Sequence, residues 1–167
     1  MSLELFYMEQ PIRKYTFEMP KAKLWVEDVV EGKTLNLFAG KTKLNCDEIR
    51  NDIDPDVNPD YNMDAFEFVN YALKEGLRFN TVILDPPYCL RKSMEKYNGR
   101  IVSNFRKIKD ILSDIICDNG IVITFGYHST CMGKSRGFSK EKLLIIGHGG
   151  SYHDTIAVVE RKILCLI

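Results

Sequence analysis

Residues 81–88 read TVILDPPY, an apolar strand pattern that runs directly into two prolines. Proline cannot donate a hydrogen bond to a sheet ladder, so this strand must end at Asp85-Pro86. A second apolar strand pattern lies upstream, where residues 34–38 (TLNLF) lead into Ala39-Gly40. Both segments are predicted to be buried strands of one sheet, and strands that alternate with helices imply that the sheet is mostly parallel. Ligands of such sheets bind beyond the carboxyl ends of the strands, so the residues that follow these two strands are candidates for a site.

Helix and strand patterns alternate along the rest of the chain. Helices are predicted over residues 20–30 and 65–74, and strands over 49–53, 121–125, 143–146 and 155–160. A further helix is predicted by apolar residues spaced at 4, 3, 4 and 3, and Asn119-Gly120 is expected to end it. Residues 54–62 form a loop, and the last two strands form an antiparallel hairpin. The predicted fold class is α/β, with a mostly parallel sheet and an antiparallel C-terminal hairpin. The spaced apolar residues are Ile101, Phe105, Ile108, Leu112 and Ile115.

Length and composition fit a single globular domain of 167 residues with a net charge of zero. No apolar run reaches the roughly 18 residues of a membrane span, and the N-terminus lacks the pattern of a secretory signal. The five cysteines are scattered without a CxxC pair, which favours reduced thiols in a cytoplasmic protein. The three histidines show no ligand spacing. We therefore expect a cytoplasmic protein with no membrane partner and no metal.

Charge is unevenly distributed although it sums to zero. Residues 47–64 hold seven acids and one base, Arg50, whereas residues 91–109 hold seven bases and one acid. Two interpretations remain open, namely an acidic and a basic wall of one site, or two ordinary solvated surfaces. In the first interpretation the basic stretch contacts the phosphates of a nucleic acid. Its candidate residues are Arg91, Lys92, Lys96 and Arg100.

The DPPY sequence offers groups that suit a planar ligand with an amino group. Asp85 supplies a carboxylate acceptor, Pro86 a carbonyl, and Tyr88 an aromatic face, while Pro87 stiffens the chain. The alternative is a double proline that only ends a strand, with a capping aspartate and a packed tyrosine. The small-residue turn at Ala39-Gly40, followed by an acid after the next strand, suits a nucleoside.

Two motifs resemble those of a known family. Asn36-Leu37-Phe38-Ala39-Gly40 resembles the cofactor motif of Rossmann-like S-adenosylmethionine-dependent methyltransferases, and the DPPY motif resembles that of members that methylate exocyclic amino groups. The motif order resembles the alpha and gamma groups of adenine N6 DNA methyltransferases and is shared with several RNA base methyltransferases, including guanine N2 enzymes. The resemblance covers residues 34–161, after an N-terminal extension over residues 1–20.

This resemblance implies S-adenosylmethionine as cofactor and a nucleobase amino group, adenine N6 first, as target in DNA or RNA. Asn36 belongs to the cofactor motif, and Phe38, Ala39 and Gly40 would line the methionine moiety. Asp52 would bind the ribose hydroxyls, and Asp64, with Ala65 beside it, would bind the adenine amino group. Within the catalytic motif of Asp85, Pro86, Pro87 and Tyr88, the first two would hold the target amine and Tyr88 would stack on the base.

The chain departs from the family pattern in two places. Gly40 is followed by Lys41-Thr42-Lys43, where the family usually continues as Gly-x-Gly. In addition, only about nine residues (39–47) join the first two predicted strands, whereas a parallel crossover normally takes a dozen or more. The first crossover helix is therefore expected to be shortened or missing. The alternative, an antiparallel hairpin of these two strands, would contradict the family.

Several alternatives stay open. The chain leaves no room for a separate target-recognition domain, so a recognition subunit or a homo-oligomer is a possible partner. Besides a nucleobase amino-methyltransferase, the sequence is compatible with a protein or small-molecule amine methyltransferase and with a non-catalytic cofactor-binding subunit. Residues 1–20 either fold over the cofactor or pack on the sheet edge. Tyr127 and His128, which follow a predicted strand, are placed to border a pocket.

Overall fold

The structure is a computed structural model that describes residues 2–86 and 104–163. The described residues form one seven-stranded sheet and three α-helices. None of these helices is long and apolar enough to cross a membrane. The helices are α1 (Pro20–Val29), α2 (Ala65–Lys74) and α3 (Phe105–Ile115). The strands are β1 (Glu4–Glu9), β2 (Thr34–Asn36), β3 (Glu48–Arg50), β4 (Phe79–Leu84), β5 (Ile116–Gly126), β6 (Phe138–Gly147) and β7 (Thr155–Lys162).

The strand order is β1-β6-β7-β5-β4-β2-β3. Strands β2, β3, β4 and β5 pair in parallel, β7 runs antiparallel to both β5 and β6, and β1 runs parallel to β6. The predicted mostly parallel sheet with a C-terminal antiparallel hairpin is confirmed. Because six of the seven described strands point the same way, their carboxyl ends lie along a single edge of the sheet. That edge is where a ligand of such a sheet binds.

Helices cover both faces of the sheet, which explains why its central strands are apolar on both sides. Successive side chains point to opposite faces, so Val82 of β4 packs under α2 and α3, while Ile83 packs under α1. Helix α2 begins at the predicted residue because Asp64 caps it, accepting hydrogen bonds from the backbone N–H groups of Phe66 and Glu67. Its predicted bounds, 65–74, are confirmed.

The connection from β2 to β3 contains no helix. Residues 37–47 are turns and irregular structure, yet β2 and β3 pair in parallel with Leu35 opposite Ile49. The expected loss of the first crossover helix is confirmed, and the hairpin alternative is wrong.

The predicted end of the third helix is wrong. Asn119-Gly120 does not terminate α3, because α3 ends at Ile115 and β5 begins at the next residue. Residues 117–120 instead form an irregularity in the β4–β5 pairing, where Phe79 is opposite Ile116 but Thr81 is opposite Ile121. Asn119 adopts a φ of 64°, a left-handed conformation that asparagine tolerates better than most residues. The predicted start of this helix, residues 101–103, lies outside the described residues.

The N-terminal segment contributes an edge strand. Residues of β1 pair in parallel with β6, with Leu5 opposite Leu143 and Tyr7 opposite Ile145. Of the two alternatives for residues 1–20, packing on the sheet edge therefore holds for β1. The following residues return toward the sheet, where the Phe17 ring packs edge-on against Phe125 at 5.6 Å between centroids.

A buried carboxylate fixes the chain that follows β5. Glu160 of β7 is 1% exposed and accepts hydrogen bonds from three consecutive backbone N–H groups, those of Cys131, Met132 and Gly133. These three donors would otherwise be buried without partners. Burial also raises the pKa of the Cys131 thiol, so this cysteine stays protonated at neutral pH.

Candidate functional site

The first two motifs meet at the carboxyl edge of the sheet. Beyond β2, the Leu37 N–H donates to the carbonyl of Ile83 in β4, and the Ala39 N–H donates to the carbonyl of Asn51 beyond β3. The turn formed by Phe38, Ala39 and Gly40 therefore lies between the ends of β3 and β4. Because β2 and β4 are parallel neighbours, this turn and Asp85, two residues after Ile83, follow the carboxyl ends of adjacent strands.

Gly40 occupies a position that requires glycine. Its φ is +59°, in the left-handed region, and a Cβ at this position would lie 2.8 Å from a ring carbon of Tyr15. Its backbone N–H donates to Oδ2 of Asp52 at 2.8 Å. The turn is thus held from one side by Asp52 and covered by an aromatic ring from the N-terminal segment.

Asp52, the predicted ribose ligand, is 5% exposed and also holds the backbone. Besides accepting from Gly40, it accepts from the Asp54 N–H at 2.9 Å through Oδ1. Two backbone N–H groups use two of the roughly four acceptor positions of a carboxylate. Each oxygen therefore retains a lone pair that can accept a hydrogen bond from a ligand hydroxyl, so the acceptor chemistry of Asp52 fits the predicted role.

Asp64 and Ala65 lie at the start of α2. Both capping hydrogen bonds of Asp64 go to Oδ1, at 2.8 and 3.4 Å, so Oδ2 of this exposed residue makes no hydrogen bond within the described chain. An exposed carboxylate oxygen fits an amino group such as that of adenine. Ala65 is buried in the core beneath it.

Asp85 and Pro86 are half-buried at the end of β4. The remaining predicted residues of the catalytic and basic stretches lie outside the described residues, namely Pro87, Tyr88, Arg91, Lys92, Lys96 and Arg100. On the far side of β4, the Tyr127 ring beyond β5 packs edge-on against His153 at 5.7 Å between centroids. His128, the other residue expected near a pocket, is exposed.

Two buried asparagine side chains connect neighbouring elements at the carboxyl edge of the sheet. The predicted cofactor residue Asn36 is fully buried in β2 and donates to Oε1 of Glu48 at 2.8 Å. Asn51, which the sequence reasoning missed, donates to the carbonyls of Leu37 and Met63 and so joins β2, β3 and the start of α2. Each amide oxygen is buried and has no hydrogen-bond partner among the described residues. Asn51 carries no local signal in the sequence, because it lies inside the strand predicted over residues 49–53, whereas the observed strand β3 ends at Arg50.

Glu48 and Arg50, also missed, hold the helix-free connection. Glu48 accepts from the Leu44 N–H at 3.0 Å as well as from Asn36. Its burial raises the pKa of the carboxyl group, an effect that these hydrogen bonds and the nearby Arg50 oppose. Arg50 is 7% exposed, so this residue does not belong to an ordinary solvated surface, which was one of the two interpretations of the charged stretches.

Comparisons with known proteins agree with this architecture. No family model matches the chain. The chain is 34% identical, over 80 residues, to the Bacillus subtilis (strain 168) protein named "Putative ribosomal RNA large subunit methyltransferase YwbD". The matched segment is 46% of this chain and 19% of that protein. Among solved structures, it is similar to "A putative sam-dependent methyltransferase from Streptococcus mutans" (TM-score 0.59, 14% identity, 84% of this chain and 48% of that chain). It is also similar to TrmN from Thermus thermophilus (TM-score 0.54, 14% identity, 86% and 48%).

These likenesses show the fold. The chain has the Rossmann-like architecture of the methyltransferase structures that it matches. It spans about half the length of these two structures and about a fifth of the curated relative.

Proposed function

We propose that this protein is an S-adenosylmethionine-dependent methyltransferase that acts on an exocyclic amino group of a nucleobase. We propose RNA as its preferred substrate and DNA as the alternative. One observation supports the proposal: the Phe38–Gly40 turn and Asp85-Pro86 follow the carboxyl ends of the neighbouring parallel strands β2 and β4, at one edge of a Rossmann-like sheet. RNA is placed first because the relative YwbD is named a ribosomal RNA methyltransferase. Adenine N6 is the first target and guanine N2 the alternative.

The residues that would hold the cofactor are Phe38, Ala39, Gly40, Asp52 and Asp64. The unused lone pairs of Asp52 suit ribose hydroxyls, and the outward Oδ2 of Asp64 suits an adenine amino group. When bound, S-adenosylmethionine supplies an electrophilic methyl group on a sulfonium, which leaves as a neutral thioether.

Asp85 and Pro86 would act on the target amine. The nitrogen lone pair of a nucleobase amino group is delocalised into the ring, which makes it a poor nucleophile. Acceptors at the Asp85 carboxylate and the Pro86 carbonyl would bind the two N–H groups and orient the lone pair toward the methyl group. Positioning of this kind supplies several kcal/mol, and one preorganised electrostatic contact about 3 kcal/mol. The methylated nitrogen then loses a proton to water, so a strong base is unnecessary.

The basic stretch after Pro86 supplies the proposed contact with nucleic acid. Arg91, Lys92, Lys96 and Arg100 would bind phosphates and position the strand without reading its sequence. Base selection would then come from a recognition subunit, a second copy of the chain or the fold of the RNA. We further propose that the protein acts in the cytoplasm.

The test combines binding and methyl transfer. Calorimetry with S-adenosylhomocysteine should give micromolar affinity, and tritiated S-adenosylmethionine should label bulk RNA in preference to unmethylated DNA. Asp85→Ala should abolish labelling while leaving the S-adenosylhomocysteine affinity unchanged. Asp118→Ala is the matched control, since this exposed aspartate lies in the bulge of β5 away from the site. Near-normal labelling by folded Asp85→Ala would show that the proposed mechanism is wrong.

A non-catalytic subunit is the second candidate. The observation that favours it is the absence of a helix in residues 37–47, which removes one set of helix-terminal N–H groups from the edge. If millimolar S-adenosylhomocysteine and S-adenosylmethionine both fail to bind, this candidate replaces the first.

A further inference from the structure

We propose that Arg50 is a positioning residue that holds the Phe38–Gly40 turn in its ligand-binding shape, in place of the absent crossover helix. The inference rests on the proposed cofactor site and adds a residue to it. Arg50 does not touch the proposed ligand. It would act through the backbone of Gly40.

The guanidinium of Arg50 joins two segments of backbone. Nη2 donates to the carbonyls of Gly40 and Val57, and Nη1 donates to the carbonyl of Asn58 at 3.0 Å. A single planar group thereby fixes the turn after β2 to the loop after β3. A guanidinium suits this task because its donors fan out in one plane and it keeps its charge.

Gly40 is consequently held at both ends of its own backbone. Its N–H donates to Asp52 and its carbonyl accepts from Arg50. With Tyr15 packed where a Cβ would lie, these contacts fix the left-handed conformation of the turn. The N–H groups and carbonyls of neighbouring residues are then oriented before a ligand arrives, which lowers the ordering cost of binding.

The burial of Arg50 indicates that the charge has a specific use. A desolvated cation is costly unless it is paired and hydrogen-bonded. Here the Nε of Arg50 makes no hydrogen bond among the described residues and lies 3.9 Å from Oε2 of Glu48, so the charge is balanced by this ion pair and by the three carbonyls that Nη1 and Nη2 bind. Separately, the backbone N–H of Arg50 donates to Oδ2 of Asp60 at 2.8 Å and fixes the residue's own backbone. Arg50 is also the only base between residues 47 and 64, among seven acids. An apolar side chain would fill the same space without the desolvation cost, but it could not bind three carbonyls.

The experiment compares Arg50→Lys and Arg50→Gln with wild type and with the control Arg136→Lys. Arg136 also donates hydrogen bonds to a carboxylate and a carbonyl, those of Asp110 and Met132. It lies in the short helical turn just before β6, whereas Arg50 belongs to β3 at the opposite end of the strand order. Hydrogen exchange of residues 38–44 and calorimetric titration with S-adenosylhomocysteine are measured on folded protein. Both Arg50 variants should exchange these amides at least about tenfold faster and bind about tenfold more weakly, because two or more hydrogen bonds are lost. The strands β4 and β5 should keep wild-type exchange.

Chemical rescue separates positioning from general stability. In Arg50→Ala, millimolar ethylguanidinium should restore slow exchange in residues 38–44, and ethylammonium should not. Wild-type exchange in folded Arg50→Lys, or a loss of affinity no larger than that of Arg136→Lys, would overturn the proposal. If wild type itself fails to bind S-adenosylhomocysteine, the proposed function fails, and the exchange data alone decide whether Arg50 holds the turn.

Discussion

Asp52 is the residue at which structural and ligand-binding roles can be separated most sharply, by the substitution Asp52→Asn. The carboxylate is 5% exposed and accepts hydrogen bonds from Gly40 at 2.8 Å and from Asp54 at 2.9 Å. Asparagine has nearly the same shape but only one acceptor oxygen. Its NH2 group must therefore face one of the two backbone N–H groups, so that two donors oppose each other.

The expected loss of stability follows from these two contacts. A hydrogen bond to a charged group contributes about 1.5–3 kcal/mol, and a neutral one about 1 kcal/mol. Losing one and weakening the other should lower the free energy of unfolding by about 2–4 kcal/mol. For a chain of this size that corresponds to a decrease in Tm of roughly 5–15 °C.

Urea unfolding followed by circular dichroism measures the stability, and calorimetry with S-adenosylhomocysteine measures the affinity at a temperature where the variant is folded. Asp56→Asn is the control, because it removes the same charge from an exposed residue of the same loop. A ribose role predicts that folded Asp52→Asn binds at least about tenfold more weakly than the control, since a charged acceptor is lost. Wild-type stability in Asp52→Asn would refute the structural role, and wild-type affinity would refute the ribose role.

Two further predictions concern buried carboxylates. Glu160→Gln should lower the free energy of unfolding by about 2–4 kcal/mol in urea titrations, because an amide cannot accept from all three N–H groups of residues 131–133; unchanged stability would contradict this account. Burial raises the pKa of Glu48 above its ordinary value near 4.5, so the folded protein holds this proton more tightly than the unfolded chain does. The resulting stabilisation is full below pH 4.5 and is lost as the pH rises through the raised pKa. The difference between the unfolding free energies of wild type and Glu48→Gln should therefore decrease as the pH rises from 4.5 through the raised pKa. A difference that does not change with pH would contradict the raised pKa of Glu48.

The elements that the sequence predicted well are those with local causes. The observed bounds of α2 equal the predicted ones because local residues mark both ends of the helix. Asp64 caps its start, and Gly76, with a φ of +67°, follows its end. The end of β4 was predictable because proline cannot continue a ladder. The lost crossover helix could be inferred from chain length alone, since residues 37–47 are too few for a helix and a return path.

The errors arose where distant contacts decide the structure. Asn119-Gly120 is a common helix ending, but here pairing with β4 draws the chain into β5 at Ile116 and leaves residues 117–120 as a bulge. A Cβ on Gly120 would lie 2.8 Å from the backbone oxygen of Asn80, a cross-strand constraint invisible in the local sequence. Strand β1 depends on β6, more than 130 residues away, and its apolar pattern was too short to interpret alone.

Arg50 and Asp52 show why site prediction from sequence remained incomplete. Asp52 was selected because an acid after the second strand suits a ribose, yet the same carboxylate binds the Gly40 N–H. Arg50, two residues earlier, was grouped with a charged surface, yet its guanidinium binds the Gly40 carbonyl. A pattern of residue types identifies which side chains are suited to a ligand, but not which of them the fold itself uses. In this protein both residues bind the backbone of one glycine, so ligand affinity and local stability should change together when either is substituted. Only paired measurements on folded variants can assign the loss to one cause or the other.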